Sequence, residues 1–170
     1  NGRNLDNWIG NKESYVAEDG MIVIRPESGS GGNLYTEKEY SDFMLRFEFL
    51  LTPAANNGLG IRAPLQGDAA YVGMELQIID NTAPVYANLK PYQYHGSVYG
   101  VIPARRGFQN PVGEWNYQEV YVKGTRIKIT LNGTVILDGD IAGPRDNGTM
   151  DQLDHPGLKN ETGYIEIGRA

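Results

Sequence analysis

The chain of 170 residues contains no cysteine. That excludes disulfide staples and thiolate metal sites, without fixing a compartment. Cations are also scarce: 15 Lys and Arg stand against 21 Asp and Glu, a formal net charge of −6. Binding to a phosphate backbone needs a basic face, so nucleic acid is not an expected partner. Arg105-Arg106 is a two-cation turn that solvent can satisfy. No apolar run approaches the roughly 18–20 residues that span a bilayer. No signal-like stretch precedes NGRNLDNW, which is equally compatible with a trimmed leader. Histidine occurs twice, at 95 and 155.

Helical periodicity is also missing. The best helix candidate, Val85 to Leu89, lies between prolines 84 and 91 and has room for a turn or two. Several catalytic signatures are absent: G-x-S-x-G, the P-loop, a G-x-G-x-x-G after a strand, and H-E-x-x-H. E-x-D-x-E on one strand face is absent too. In ELQIID the carboxylates Glu75 and Asp80 have opposite parity. A double-displacement glycosidase needs two carboxyls about 5 Å apart, and no single strand offers them.

What is present is a succession of short strands. Turn signals recur roughly every eight to twelve residues, the spacing of an all-β sandwich or barrel. Glu18-Asp19-Gly20 separates YVA from MIVIR as a hairpin, and 28–33 reads as a flexible loop. Phe43 to Leu51 is the strongest strand, with Phe43, Leu45, Phe47, Phe49 and Leu51 on one face. Val72 to Ile79 places Met74, Leu76 and Ile78 on a core face. Gln118–Lys123 and Arg126–Leu131 form a hairpin, and Asn132-Gly133 is a type I′ turn into TVILD. The expected fold is one all-β domain over 1–170, a two-sheet antiparallel jelly-roll sandwich. The long connections 81–94 and 102–114 lie at its sheet edges and suit binding.

The richest stretch is Asn56 to Tyr99: NNGLGIRAP, YVGMELQIID, YQYHGSVYG. Alternation puts Arg62 on the face of Gly58 and Gly60, Glu75 with Gln77, and His95 with Ser97 and Tyr99. If those faces coincide, one wall carries a cation, a carboxylate, an amide, an imidazole and a phenol. Each has a plainer alternative. Glu75 would be a solvated carboxylate paired with Lys128 or Arg46. The glycines before Arg62 would mark a bulge rather than room for a ligand. His95 would be structural, although Tyr92, Tyr94 and Tyr99 around it suit sugar stacking. His155 sits in a loop, LDHPGLK, and Asp80 belongs to an Asp-Asn-Thr turn. A calcium site built from Asp138, Asp140, Asp151 and Asp154 stays open, though their spacing fits no EF-hand loop. A divalent metal is thus compatible with the sequence, and no nucleotide cofactor is expected.

NGRNLDNW, YVAEDGMIVI, NNGLGIR, YVGMELQIID, HGSVYG, GEWN, LNGTVILD and DHPGLK with GYI occur in an order that resembles the 3-keto-disaccharide hydrolase domain family. The resemblance runs from about Asn1 to Ile165. It implies a concanavalin A-like lectin/glucanase jelly roll, a small carbohydrate substrate oxidised at C3, and a bacterial periplasmic or extracellular location. A C3 ketone acidifies the C2 proton, so a base can remove it and expel the C1 substituent. No carboxylate nucleophile is then required, but an enolate stabiliser is. On this reading His95 or Glu75 is the base and Arg62 steadies the enolate. Gln77, Tyr99, Tyr94 and His155 contact substrate. A carbohydrate-binding module without catalysis is the alternative. The family pattern G-x-I-G-F, followed by a G-H-G loop and a further strand, reads GYIEIGRA here, so any residue that loop supplies is in question.

Overall fold

A computed structural model describes residues 2–25 and 32–168. Most of the expected 28–33 loop lies outside the described residues. Eleven strands are present among those described: β1 (Trp8–Gly10), β2 (Tyr15–Glu18), β3 (Met21–Ile24), β4 (Leu34–Tyr40), β5 (Phe43–Leu50), β6 (Asn56–Ala63), β7 (Met74–Ile79), β8 (Trp115–Lys123), β9 (Arg126–Leu131), β10 (Thr134–Asp140) and β11 (Gly163–Ile167). A five-stranded sheet runs β1-β4-β11-β6-β7 and a four-stranded sheet β10-β9-β8-β5, with β2-β3 as a separate hairpin. All pairings are antiparallel. The chain forms the expected two-sheet jelly-roll sandwich.

The alternation read from the sequence decides which residues fill the space between the sheets. Ile61, Met74, Leu76 and Ile165 from one sheet meet Val120, Val122, Ile127 and Ile129 from the other. Full burial of such side chains is worth about 1.5–3 kcal/mol each. In β5, Phe43, Leu45, Phe47 and Phe49 pack on this core, while Met44 and Leu50 are exposed. Asn132 and Gly133 have φ of 49° and 82°, as a type I′ turn requires.

Three local expectations need correction. Asn56 does not open a turn; it already pairs with Ile79 in β6. The segment before β7 is not strand but a single helical turn, α1 (Ala69–Val72), because the Asp68 carboxylate accepts from Ala70 N and caps it. Val85–Leu89 shortens to a 3₁₀ turn at Pro84–Tyr86. Another short helix, α2 (Ala142–Asn147), follows β10. No helix among the described residues is long and apolar enough to cross a membrane.

Candidate functional site

Strand parity sends Leu59, Ile61 and Leu76 into the core, and so turns Gly58, Gly60, Glu75 and Gln77 to the opposite face of the five-stranded sheet. On that face lies a cleft of about 460 Å³. Its floor is β6, β7 and β11; α1 and the 81–94 connection supply walls. Three carboxyl residues, Asp68, Glu75 and Glu166, line it with Gln77, Tyr71 and Tyr99. No lysine or arginine is among the described residues lining it.

The glycines of NNGLGI have a definite task. A Cβ at Gly58 would overlap the Glu75 carboxyl, and one at Gly60 would press on Glu166 and Ala69 at about 3 Å. The two carboxyl side chains therefore lie down over bare backbone. Register makes the arrangement symmetric: Gly60 is the Cα partner of Glu75 in β7 and of Glu166 in β11. Glu75 is partly buried, and its carboxyl is pushed up to about 7 by burial, then by the charges of Asp68 and Glu166. Glu166 is only 4% exposed, with Oε2 unpartnered. Burial and the Asp68 charge push it up to about 7 as well, against a hydrogen bond from Tyr35. Neither Lys128 nor Arg46 serves Glu75: Arg46 binds Glu119 at 2.7 Å, and Lys128 lies over the Tyr121 ring.

Two other expected residues reach the cleft. Gln77 is fixed there by donating from Nε2 to Asn56 Oδ1 (2.7 Å) and Asn57 O (3.0 Å). The Tyr99 hydroxyl accepts from Gln93 Nε2 at 3.0 Å, which leaves its own proton free to donate.

The other four expected residues do not reach it. Arg62 has φ of 48°, a left-handed conformation at the bulge where the β11 register shifts between Tyr164 and Glu166. Its guanidinium is buried, donating to Ser41 O (3.0 and 2.9 Å) and Asn160 O (3.2 Å), with Asp42 at 3.3 Å. It lines a separate cavity of about 310 Å³ beside Asp42, Arg145 and Lys159. His95 lies between the sheets, because the 94–102 segment is not a regular strand and Gly96, at φ 79°, breaks its alternation. The ring is tilted against Phe49 at 5.1 Å, with Nε2 2.9 Å from Gln118 Oε1, and burial pushes its pKa down to about 4. Tyr94 is buried as a brace: its hydroxyl donates to Tyr86 O and Ala87 O, and Arg106 stacks 3.8 Å over its ring. His155 is also buried, with Nδ1 2.9 Å from Ala70 O and Nε2 3.0 Å from Asp151, which ties α1 to the 149–155 loop. The expected convergence of Arg62, Glu75 and His95 is therefore replaced by Glu75, Glu166, Gln77 and Tyr99.

Glu166 was the residue missed in the sequence. It stands at the Gly of the G-x-I-G-F pattern, and its partner Glu75 is far away in the chain. Parity within GYIEI gave a signal: Glu166 is flanked by Ile165 and Ile167, so its side chain must leave the core. Asp80 is a turn residue as expected, accepting from Ala54 N, Thr82 N and Thr82 Oγ1. The late aspartates are engaged separately: Asp138 with Arg126, Asp140 with Ala142 N, and Asp151 with His155. Among the described residues no group of three His, Asp or Glu side chains could hold a metal.

The 3-keto-alpha-glucoside-1,2-lyase-like domain pattern matches residues 1–169. Two crystal structures from Parabacteroides distasonis ATCC 8503, both of proteins described as candidate glycosyl hydrolases, superpose closely. One has 25% identity and a TM-score of 0.83, covering 97% of this chain and 86% of that one. The other has 21% identity and a TM-score of 0.84, with 98% and 83% covered. A carbohydrate-binding module from Bacillus subtilis shares the fold at 13% identity and a TM-score of 0.54, over 95% of this chain and 86% of its own. No curated protein matches.

Proposed function

The chain belongs to the 3-keto-alpha-glucoside-1,2-lyase-like domain family, and on that premise we propose that it is a carbohydrate-active enzyme cleaving 3-keto-glycosides by elimination. The observation that carries this reading is Glu75, a carboxyl laid over Gly58 in a polar cleft and pushed up to about 7. A carboxylate with that affinity is a stronger base than an ordinary one and still ionises near neutrality. Glu75 takes the C2 proton, and the electron pair moves onto the C3 oxygen as an enolate. Tyr99, whose hydroxyl lines the cleft and is free to donate, supports the stabilising role in place of Arg62. Gln77, locked by Asn56 and Asn57, orients the ring hydroxyls. The enolate then collapses, the C1–O bond breaks, and water later adds to the C1=C2 double bond.

The cleft also suits a neutral substrate: with three carboxyl residues and no cation among its described lining residues, it repels phosphorylated or uronic sugars. The test is incubation with methyl 3-keto-α-glucoside and with its unoxidised parent. Release of methanol from the first alone is expected, and Glu75→Gln abolishes it. Cleavage of the parent glycoside would overturn the elimination chemistry. Saturable sugar binding without turnover would assign the cleft to a binding module on this fold.

A further inference from the structure

The scheme above gives Glu166 nothing to do, although it is the most buried carboxyl residue of the cleft. Building on the lyase reading, we propose that Glu166 is the general acid that protonates the departing glycosidic oxygen, paired with Glu75 across Gly60.

Three observations support this. Glu75 and Glu166 flank the same glycine from the two strands on either side of β6, on the same face, so both address one bound sugar ring. Glu166 Oε2 has no hydrogen-bond partner, though a buried polar atom ordinarily has one. A protonated carboxyl that lends its hydrogen to a ligand fits that atom. The ionisable groups facing Glu166 are Tyr35 on β4, Asp68 before α1 and Glu75 on β7, with no cation among the described lining residues. Three carboxylates in one cleft repel one another, so a proton is retained at neutral pH. Burial and neighbouring negative charge push both glutamates up to about 7. The singly protonated pair holds one base and one acid, as elimination requires.

The step balances. Glu75 gains the C2 proton; the C2–H electron pair becomes the C1=C2 bond as the C1–O pair leaves with the aglycone oxygen. That oxygen takes the proton from Glu166. The products are an alcohol and a 3-keto-1,2-unsaturated sugar, with no change in oxidation state. Glu75 is now protonated and Glu166 ionised, so the pair is set for hydration. Glu166 accepts a proton from water as its oxygen attacks C1, and Glu75 returns a proton to C2.

The test compares two leaving groups on the same preparation, so any misfolded fraction cancels. Nitrophenolate departs without a proton, whereas methoxide needs one. For Glu166→Gln, kcat/KM on methyl 3-keto-α-glucoside is expected to fall by about 10²-fold or more, and on the p-nitrophenyl analogue by less than about tenfold. In D₂O the variant is expected to exchange C2 hydrogen of the methyl substrate faster than it releases methanol. A second measurement needs no variant: wild-type kcat/KM across alcohols of graded acidity is expected to vary little. Equal losses on both substrates, or a steep wild-type dependence on alcohol acidity, would overturn the acid assignment while leaving the lyase intact. A wild type inactive on every 3-keto-glycoside would overturn both.

Discussion

Glu75 and Glu166 lie on strands that do not touch, yet both are registered on Gly60. With strands about 4.8 Å apart, their Cα atoms stand roughly 10 Å from each other; the Glu166 side chain lies over Gly60 and the Glu75 carboxyl over Gly58. Gly60→Ala is therefore expected to displace Glu166 and press on Ala69, and so reduce kcat/KM at least tenfold. Gly58→Ala is expected to do as much by displacing Glu75 alone. Both are read by steady-state kinetics on a 3-keto-glycoside.

Stability will depend on pH through the same pair. Their folded pKa values, about 7, exceed the ordinary carboxyl value of 4.5. Folding thus binds protons more tightly, and the cost of burying the charges develops as pH rises through the interval from 4.5 to 7. His95 acts in the opposite direction: its folded value, about 4, lies below 6.5, so its contribution is lost as pH falls from 6.5 towards 4. The two intervals overlap, and two carboxyls outweigh one imidazole, so thermal melts are expected to fall as pH rises from about 4.5 to 7. Glu75→Gln is expected to raise stability at pH 8 by about 1–3 kcal/mol while leaving the acid limb in place.

Arg62 makes a structural prediction. Removing a buried guanidinium from Ser41 O, Asn160 O and Asp42 leaves acceptors without donors. Arg62→Met is expected to cost about 2–4 kcal/mol in chemical denaturation. The kcat of the folded fraction is expected to be unchanged, because the residue lies in the other cavity.

Tyr99→Phe removes a hydroxyl and leaves Gln93 Nε2 without its acceptor. A loss of about 10–100-fold in kcat with little change in KM is expected if the hydroxyl stabilises the enolate. A change confined to KM would make it a binding contact only.

The sandwich was legible because its strands keep a period of two. The β5 phenylalanines and the Ile127, Ile129, Leu131 series land on the core face as read. The site was half legible for the same reason. Glu75 and Gln77 sit in a regular strand and obey parity, whereas His95 and Arg62 sit where the backbone breaks it, at Gly96 and at the β6–β11 bulge. Counting alternation cannot register a left-handed residue. Glu166 is not legible as a partner of Glu75 within any single strand, because the pair spans two strands that share a neighbour.

One feature of the sheet bears on how the molecule assembles. β11 is the last strand described, yet it lies between β4 and β6 at the centre of the five-stranded sheet. The β8–β9–β10 meander can zip up from near neighbours, but the floor of the cleft needs a partner more than a hundred residues downstream of β4. Closing so long a loop is slow. During synthesis, then, β4 and β6 must wait with open edges until Gly163–Ile167 emerges, and the floor of the cleft is complete only once β11 threads into place.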